Sequence, residues 1–290
     1  QGLGDPKALL DAVKFDQQTI VYDSTGKIEL ARFGQQKSVP VQFNDFPRTL
    51  IDATTSIEDH TFWDNAGFDP AAVVSAAYDS LRGRSRGAST ITQQLVRARL
   101  LPDSVLQGST VDRKIKEIIQ SIRLTNELGG GDQGKRLIMQ YYLNQNYYGN
   151  QSYGIAAAAK SYFGVTDLKK LTLAQVAILA AIPQSPSQYD LVLNADQQQN
   201  AKGDTILVVP PDTAIVRRRN QVLEAMKRYR VLTAAGQNGA ITDAQLTAAE
   251  KEPVILAPQV TANWRAPHFV WQVRRELGET LCPQTPDTCP

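Results

Sequence analysis

From Leu173 to Ile182 the chain reads Leu-Ala-Gln-Val-Ala-Ile-Leu-Ala-Ala-Ile, apolar on nearly every side of a helix, and Pro183 and Pro186 end the run. Such a segment belongs at the centre of a core and needs other elements around it on all sides. It falls well short of the roughly 20 apolar residues that cross a bilayer, so it is read as buried and not as membrane-spanning. The surrounding sequence supplies partners with helical periodicity. Asp69 to Arg82 carries Ala, Val and Tyr at helical spacing behind the start signal Asp69-Pro70. Arg113 to Leu128 places Ile115, Ile118, Ile119, Ile122 and Leu124 periodically and stops at three glycines. Lys135 to Asn144, the alanine-rich Tyr153 to Phe163, the basic Arg217 to Arg230 and a segment opened by Thr242 continue the pattern. The exception is near the start, where Thr19 to Tyr22 and Lys27 to Leu30 flank Asp23-Ser-Thr-Gly26 and predict a β-hairpin.

The expected fold is therefore mainly α with a small N-terminal β-hairpin. With 42% hydrophobic and 21% charged residues in a chain of 290, disorder is not the default and a substantial core is affordable. A formal charge of +2 is too small to argue for nucleic acid or a polybasic membrane anchor, so any anion site has to come from local clustering. No signal-like segment follows Gln1. Both cysteines, Cys282 and Cys289, lie in a Pro- and Thr-rich tail: a local disulfide fits an oxidising compartment, and free thiols are the alternative. Residues 192 to 214, polar and then Ile206-Leu-Val-Val209 with two prolines, read as a surface excursion with one short strand.

Three blocks could carry chemistry. In Thr55-Ser-Ile-Glu-Asp-His-Thr-Phe62, Glu58 and Asp59 pair two carboxylates, although Thr55 to Glu58 also matches a helix capping box with Glu58 at the third helical position. In Gly87-Ala-Ser-Thr-Ile-Thr-Gln-Gln94, Ser89, Thr90, Gln93 and Gln94 offer neutral hydrogen bonds at a glycine-led helix start. There, free backbone N–H groups and the helix dipole favour an anion, while Thr90 and Gln93 are also spaced for reciprocal capping. In Arg113-Lys-Ile-Lys-Glu117, Arg113 and Glu117 are four apart, the spacing of an exposed ion pair worth only ~0.2–0.5 kcal/mol. Arg97 adds a further cation just beyond Gln94.

In order and spacing these blocks resemble the motifs of the peptidoglycan glycosyltransferase module of class A penicillin-binding proteins and monofunctional transglycosylases. The first matches Glu-Asp-x-x-Phe-x-x-His-x-Gly at Glu58, Asp59, Phe62 and Gly67. The second matches Gly-x-Ser-Thr-Ile-Thr-Gln-Gln in full, and the third matches Arg-Lys-x-x-Glu. Tyr141 to Gly164 and Leu173 to Pro186 resemble the fourth and fifth motifs, with core and wall as their expected roles and Tyr147 and Tyr148 as candidates for lining a sugar groove. The chain departs from the pattern at Asn65 in place of histidine, Arg97 in place of lysine, Ala98 in place of a polar residue and Gln175 in place of glutamate. Asparagine cannot titrate, so proton handling at position 65 is excluded.

The resemblance implies a lysozyme-like helical glycosyltransferase domain over residues 46 to 250, with the excursion at 192 to 214 as an insertion. Residues 1 to 45 would form a hairpin and linker, and 251 to 290 a linker toward a second domain. It implies a hexosyltransferase that polymerises lipid II, with the growing glycan held on undecaprenyl pyrophosphate, into β-1,4 strands with inversion. Glu58 is then the general base. Arg97, Arg113 and Lys114 meet the leaving pyrophosphate, and Glu117 orients them or helps to hold a divalent cation such as Mg or Mn. Asp59, Phe62, Ser89, Thr90, Gln93 and Gln94 would complete the substrate contacts. No cofactor is required by this reading, and no metal-ligand cluster of the Asp-x-Asp type is evident. The implied setting is the membrane surface at the outer face of the bacterial cytoplasmic membrane, beside a transpeptidase domain and with no nucleic acid. The rivals are a glycan-cleaving lytic transglycosylase and a noncatalytic glycan-binding scaffold. Cleaving a neutral glycosidic bond needs no pyrophosphate clamp, so the cationic block weighs against the first.

Overall fold

The computed structural model describes residues 3–11, 19–33, 40–81, 89–229, 241–259 and 266–281. Gly87, Cys282 and Cys289 lie outside them. The described elements are helical almost throughout. After α1 (Pro6–Asp11) and the hairpin β1 (Thr19–Tyr22) and β2 (Glu29–Phe33) come α2 (Arg48–Glu58), α3 (Pro70–Leu81), α4 (Ile91–Arg99), α5 (Asp103–Leu106) and α6 (Thr110–Glu127). Then follow α7 (Gly131–Gln145), α8 (Ile155–Phe163), α9 (Leu173–Ala181), strands β3 (Asp196–Gln199) and β4 (Thr205–Val209), and α10 (Ala214–Tyr229). The described part closes with α11 (Asp243–Lys251), β5 (Val254–Ile255) and α12 (Pro267–Leu281).

The all-round apolar segment forms α9 and occupies the centre. Val176, Ala177, Ile178, Leu179 and Ala181 are fully buried, and α9 packs against α2, α8, α10 and α11. Its start is the reciprocal cap of Thr172 and Gln175, so the glutamine that departs from the family pattern still makes the capping box. A second layer forms where α4 lies across α6 and α7. α10 shows why a basic helix is not all surface. Arg219 is buried and donates to the carbonyls of Glu250 and Glu252, satisfying the C-terminal end of α11.

Several local readings shift. The excursion at 192–214 is a β3–β4 hairpin and not one strand, and β5, from the segment assigned to a C-terminal linker, pairs with β4 through Val208–Ile255 and Val209–Val254. Val270 of α12 is buried against Val21 of the hairpin, so the two ends of the described chain share a small apolar cluster. The Thr55–Glu58 capping box is absent. Helix α2 begins eleven residues earlier than Asp59, directly after Pro47, and Glu58 is its last residue, not its third. The Thr55 hydroxyl instead donates back to the Ile51 carbonyl.

Candidate active site

Helix α4 organises the site because side chains on one short helix reach two different carboxylates. Its start is the expected capping box: Thr90 Oγ1 accepts from Gln93 N at 3.1 Å, and Gln93 Oε1 accepts from Thr90 N at 3.0 Å. Such a cap is worth about 1 kcal/mol. It also orders the first turn so that Gln94 and Arg97, three residues apart, project along one side.

Gln94 reaches Glu58. Its Nε2 donates to Glu58 Oε2 at 2.7 Å, and its Oε1 accepts from the buried Tyr142 hydroxyl at 3.0 Å. Glu58 Oε1 lies 3.7 Å from a terminal nitrogen of Arg218 on α10 and accepts no hydrogen bond. The Glu58 side chain is only 9% exposed. Burial therefore pushes its carboxyl above the usual glutamate range, against the opposing pull of the Gln94 amide and the Arg218 guanidinium, and neighbouring Asp59 adds a smaller upward push. An acid so placed has one satisfied oxygen and one oxygen still able to accept a proton.

Arg97 reaches Glu117. The guanidinium engages it through both nitrogens of one edge, Nε to Oε1 at 2.5 Å and a terminal nitrogen to Oε2 at 3.1 Å. Lys114 Nζ stands 3.4 Å from Oε2, and Arg113 Nε stands 3.9 Å from Oε1. Glu117 is fully buried, whereas Arg97, Arg113 and Lys114 keep 43%, 31% and 32% of their side chains exposed. The i,i+4 pair of Arg113 and Glu117 therefore forms, but on a buried carboxylate and at 3.9 Å, and the principal partner comes from α4. Three cations around one carboxylate leave a local charge of about +2 open to solvent. Ser89 Oγ accepts from Lys114 at 2.8 Å and from Arg97 at 3.2 Å, joining the start of α4 to this cluster. Burial lowers the Lys114 pKa, partly offset by Glu117. Both Glu117 oxygens face cations, a donor set that does not fit a divalent metal held there. Among the described residues no group of three or more His, Cys, Asp or Glu side chains could hold one.

Four of the residues expected to touch substrate are instead interior. Phe62 and Gln93 have no exposed surface, and Thr90 and Asp59 keep 3% and 6%. Asp59 is a hub. Both of its oxygens accept from the one Asn65 amide nitrogen, at 3.0 and 3.1 Å; Oδ1 also accepts from Thr61 Oγ1 at 3.2 Å, and Oδ2 from the Ile91 backbone N–H at 3.2 Å, which ties the end of α2 to the start of α4. Asn65 Oδ1 in turn accepts from Lys135 Nζ at 2.9 Å and from Gly67 N at 3.0 Å. The Lys135 ammonium also lies 4.7 Å from the centre of the Phe62 ring. Asparagine at 65 is therefore a fully used cross-link between a buried acid and a buried lysine, which accounts for its fit where a histidine is usual. Burial drops Lys135 to about 8, while Asp59 and Asp64 act in the other direction. Gly67, at φ +94°, packs so closely on α6 that a Cβ would stand 2.6 Å from the Ser121 carbonyl, and its own carbonyl accepts from Thr90 Oγ1 at 2.8 Å.

Lys135, Tyr142 and Arg218 were not among the expected site residues. A signal for two of them existed: Lys135 and Tyr142 fall on the apolar face of α7 with Ile138 and Met139, where a lysine in register with core positions is anomalous. Tyr148 is buried, and Tyr147 pairs with Tyr153 at 4.7 Å between ring centroids.

Comparison with known proteins identifies the family. A family model described as Transglycosylase matches residues 26–227. Penicillin-binding protein 1A of Vibrio cholerae is 33% identical over 250 residues, covering 86% of this chain and 26% of that protein. The Penicillin-binding protein 1A of Escherichia coli K12 is 31% identical over 275 residues, covering 93% and 28%. In Bacillus subtilis, Penicillin-binding protein 1A/1B is 34% identical over 244 residues, covering 83% and 23%. The chain thus spans about a quarter of the length of the curated relatives it matches. With a family match across most of its length, and with the motif residues gathered on either side of α4, the chain belongs to the transglycosylase family.

Proposed function

We propose that this chain is a peptidoglycan glycosyltransferase that polymerises lipid II into β-1,4 glycan strands. The observation that carries this reading is the pairing on α4: Gln94 holds a buried carboxylate with one accepting oxygen left, and Arg97 joins Arg113 and Lys114 in a partly exposed cationic cluster around Glu117. Glycosyl transfer from a pyrophosphate needs both parts. In the step we infer, the acceptor's 4-hydroxyl oxygen attacks the anomeric carbon of the lipid-linked donor from the face opposite the pyrophosphate. The carbon–oxygen bond to pyrophosphate breaks, its electron pair leaves with the phosphate oxygen, and the hydroxyl proton passes to Glu58 Oε1. The transition state is oxocarbenium-like, and the product linkage is inverted. Arg97, Arg113 and Lys114 meet the departing charge, prearranged by Glu117 so that little reorganisation accompanies bond breaking. Glu117 acts by orienting those cations.

The setting we infer is the outer face of the cytoplasmic membrane, with a transpeptidase domain as partner, as the family resemblance implies. The outer side of α6 supports a lipid-facing position. Val111, Ile115 and Ile119 recur every four residues and are 70%, 53% and 45% exposed, on the same helix that carries Arg113, Lys114 and Glu117. No helix among the described residues is long and apolar enough to cross a membrane, so the contact proposed is peripheral. Polymerisation of lipid II by the purified chain, with Glu58→Gln beside it, tests the reading. Glycan strands from the first and none from the second are expected. Near-normal polymerisation by Glu58→Gln overturns the assignment of the base, and cleavage of finished strands without polymerisation overturns the function.

A further inference from the structure

The Gln94 amide can present either its nitrogen or its oxygen to Glu58, and the two arrangements have opposite chemical consequences. An ionised carboxylate only accepts, so it is stabilised by Nε2. A protonated carboxyl can donate, so it is stabilised by Oε1. A 180° rotation of one amide would therefore turn surroundings that favour a base into surroundings that favour an acid. The orientation follows from the network, since hydrogen-bond partners assign an amide. Tyr142 Oη lies 3.0 Å from Gln94 Oε1, and Gln94 Nε2 lies 2.7 Å from Glu58 Oε2. Tyr142 has no exposed surface, and burial, with the charge of Glu58 next, holds its hydroxyl well above the usual phenol range, so it stays protonated and able to donate. The other groups facing Glu58 are Arg218 from α10 at 3.7 Å, Asp59 next along the chain, and Tyr148 after α7, whose own pKa the charge of Glu58 helps to raise. None of these fixes the amide.

We propose that Tyr142 is a positioning residue for the transfer reaction: by donating its hydroxyl to Gln94 Oε1 it locks the amide with Nε2 toward Glu58, keeping that carboxylate aimed and ionised. This inference rests on Glu58 being the general base. Tyr142 never touches substrate in this scheme and acts only through Gln94.

The experiment is the pH dependence of lipid II polymerisation by purified protein carrying Tyr142→Phe, Gln94→Leu, both together, or Glu58→Gln, with thermal melts confirming that each is folded. For Tyr142→Phe we expect kcat to fall about tenfold, the size of one lost hydrogen bond to a charged network, with KM for lipid II within about twofold. The acid limb of the profile should move to higher pH, because losing the N–H donor raises the pKa of Glu58. The double variant should match Gln94→Leu alone, since Tyr142 acts through that residue. A wild-type kcat and limb in Tyr142→Phe, or additive losses in the double variant, overturns the proposal. If Glu58→Gln polymerises normally, the base assignment itself fails. An inactive Glu58→Gln beside an unshifted Tyr142→Phe profile refutes the tyrosine's role alone. Should Tyr142→Phe not fold, 3-fluorotyrosine in place of Tyr142 keeps the ring and strengthens the donor. A limb moved to lower pH then supports the proposal, and an unmoved limb overturns it.

Discussion

Glu58 and Glu117 are both buried glutamates reached by α4, yet their surroundings give them different work. Around Glu58 there is one neutral amide, one guanidinium held at 3.7 Å and an oxygen without a hydrogen bond. Around Glu117 there are three cations, one of them in a two-point grip. The first carboxylate is under-compensated, so its proton affinity is raised and can be used in a reaction. The second is over-compensated, so it serves as an anchor that aims positive charge at whatever anion arrives. Burial alone does not mark a catalytic acid or base; the balance of its partners does.

The largest expected effect falls on the first side. Glu58→Gln keeps volume and loses only the basic oxygen, and turnover of lipid II should drop by roughly 10²–10⁴-fold, the usual contribution of a general base. Loss of that size with an unchanged melting profile would sharpen the contrast. Glu117→Gln breaks the second side differently. It leaves three cations with a neutral partner, and because those cations are partly exposed the stability loss should be about 1–3 kcal/mol, less than for a sealed pair. Thermal melts showing no loss would mean that Glu117 is not the anchor. Arg97→Gln should lower kcat/KM for lipid II about tenfold while leaving the acid limb in place, since Arg97 does not contact Glu58. A shifted limb would join what the structure keeps separate.

The smallest effect uses a third carboxylate as a control. Asp52 on α2 is buried, and desolvation raises it to about 6 from 3.8, with Arg48 pulling the other way. Its folded pKa exceeds its unfolded one, so the folded state binds more protons between about 4 and 6. Stability from this group is present at low pH and is lost as pH rises through that window. A displacement of that size corresponds to about 3 kcal/mol. The pull of Arg48 is already contained in that pKa, and partial solvent screening discounts the figure, so Asp52→Asn should gain about 1–2 kcal/mol at pH 8, read as a higher melting temperature with no change in turnover. A stabilised protein that also lost activity would show that α2 transmits changes to Glu58.

Patterns set by near neighbours were legible in the sequence. The all-round apolar run placed α9 at the centre, and Thr90 with Gln93 predicted the cap that orders α4. Readings failed where a local pattern competed with a longer one. Thr55 to Glu58 has capping-box spacing, but Pro47 starts the helix earlier and leaves Glu58 at the other end. Arg113 and Glu117 do pair at their i,i+4 spacing, but packing of α4 on α6 buries the carboxylate and brings Arg97 closer. Lys135, Tyr142 and Arg218 arrive from α7 and α10, far along the chain. Nothing in the motif around Glu58 encodes which helices will cover it.

The shared use of α4 also limits how this site can change. At a rise of about 1.5 Å per residue, Gln94 and Arg97 are separated by only about 5 Å along the axis, on a segment with no hinge between them. A substitution that repacks the buried Ile91, Leu95 or Val96 beneath them therefore displaces the proton-handling side and the charge-handling side together. Drift in the core under this helix cannot retune one half of the chemistry while sparing the other. Adaptation to a different donor or acceptor then has to come from the neighbouring helices, moving around a fulcrum that itself stays put.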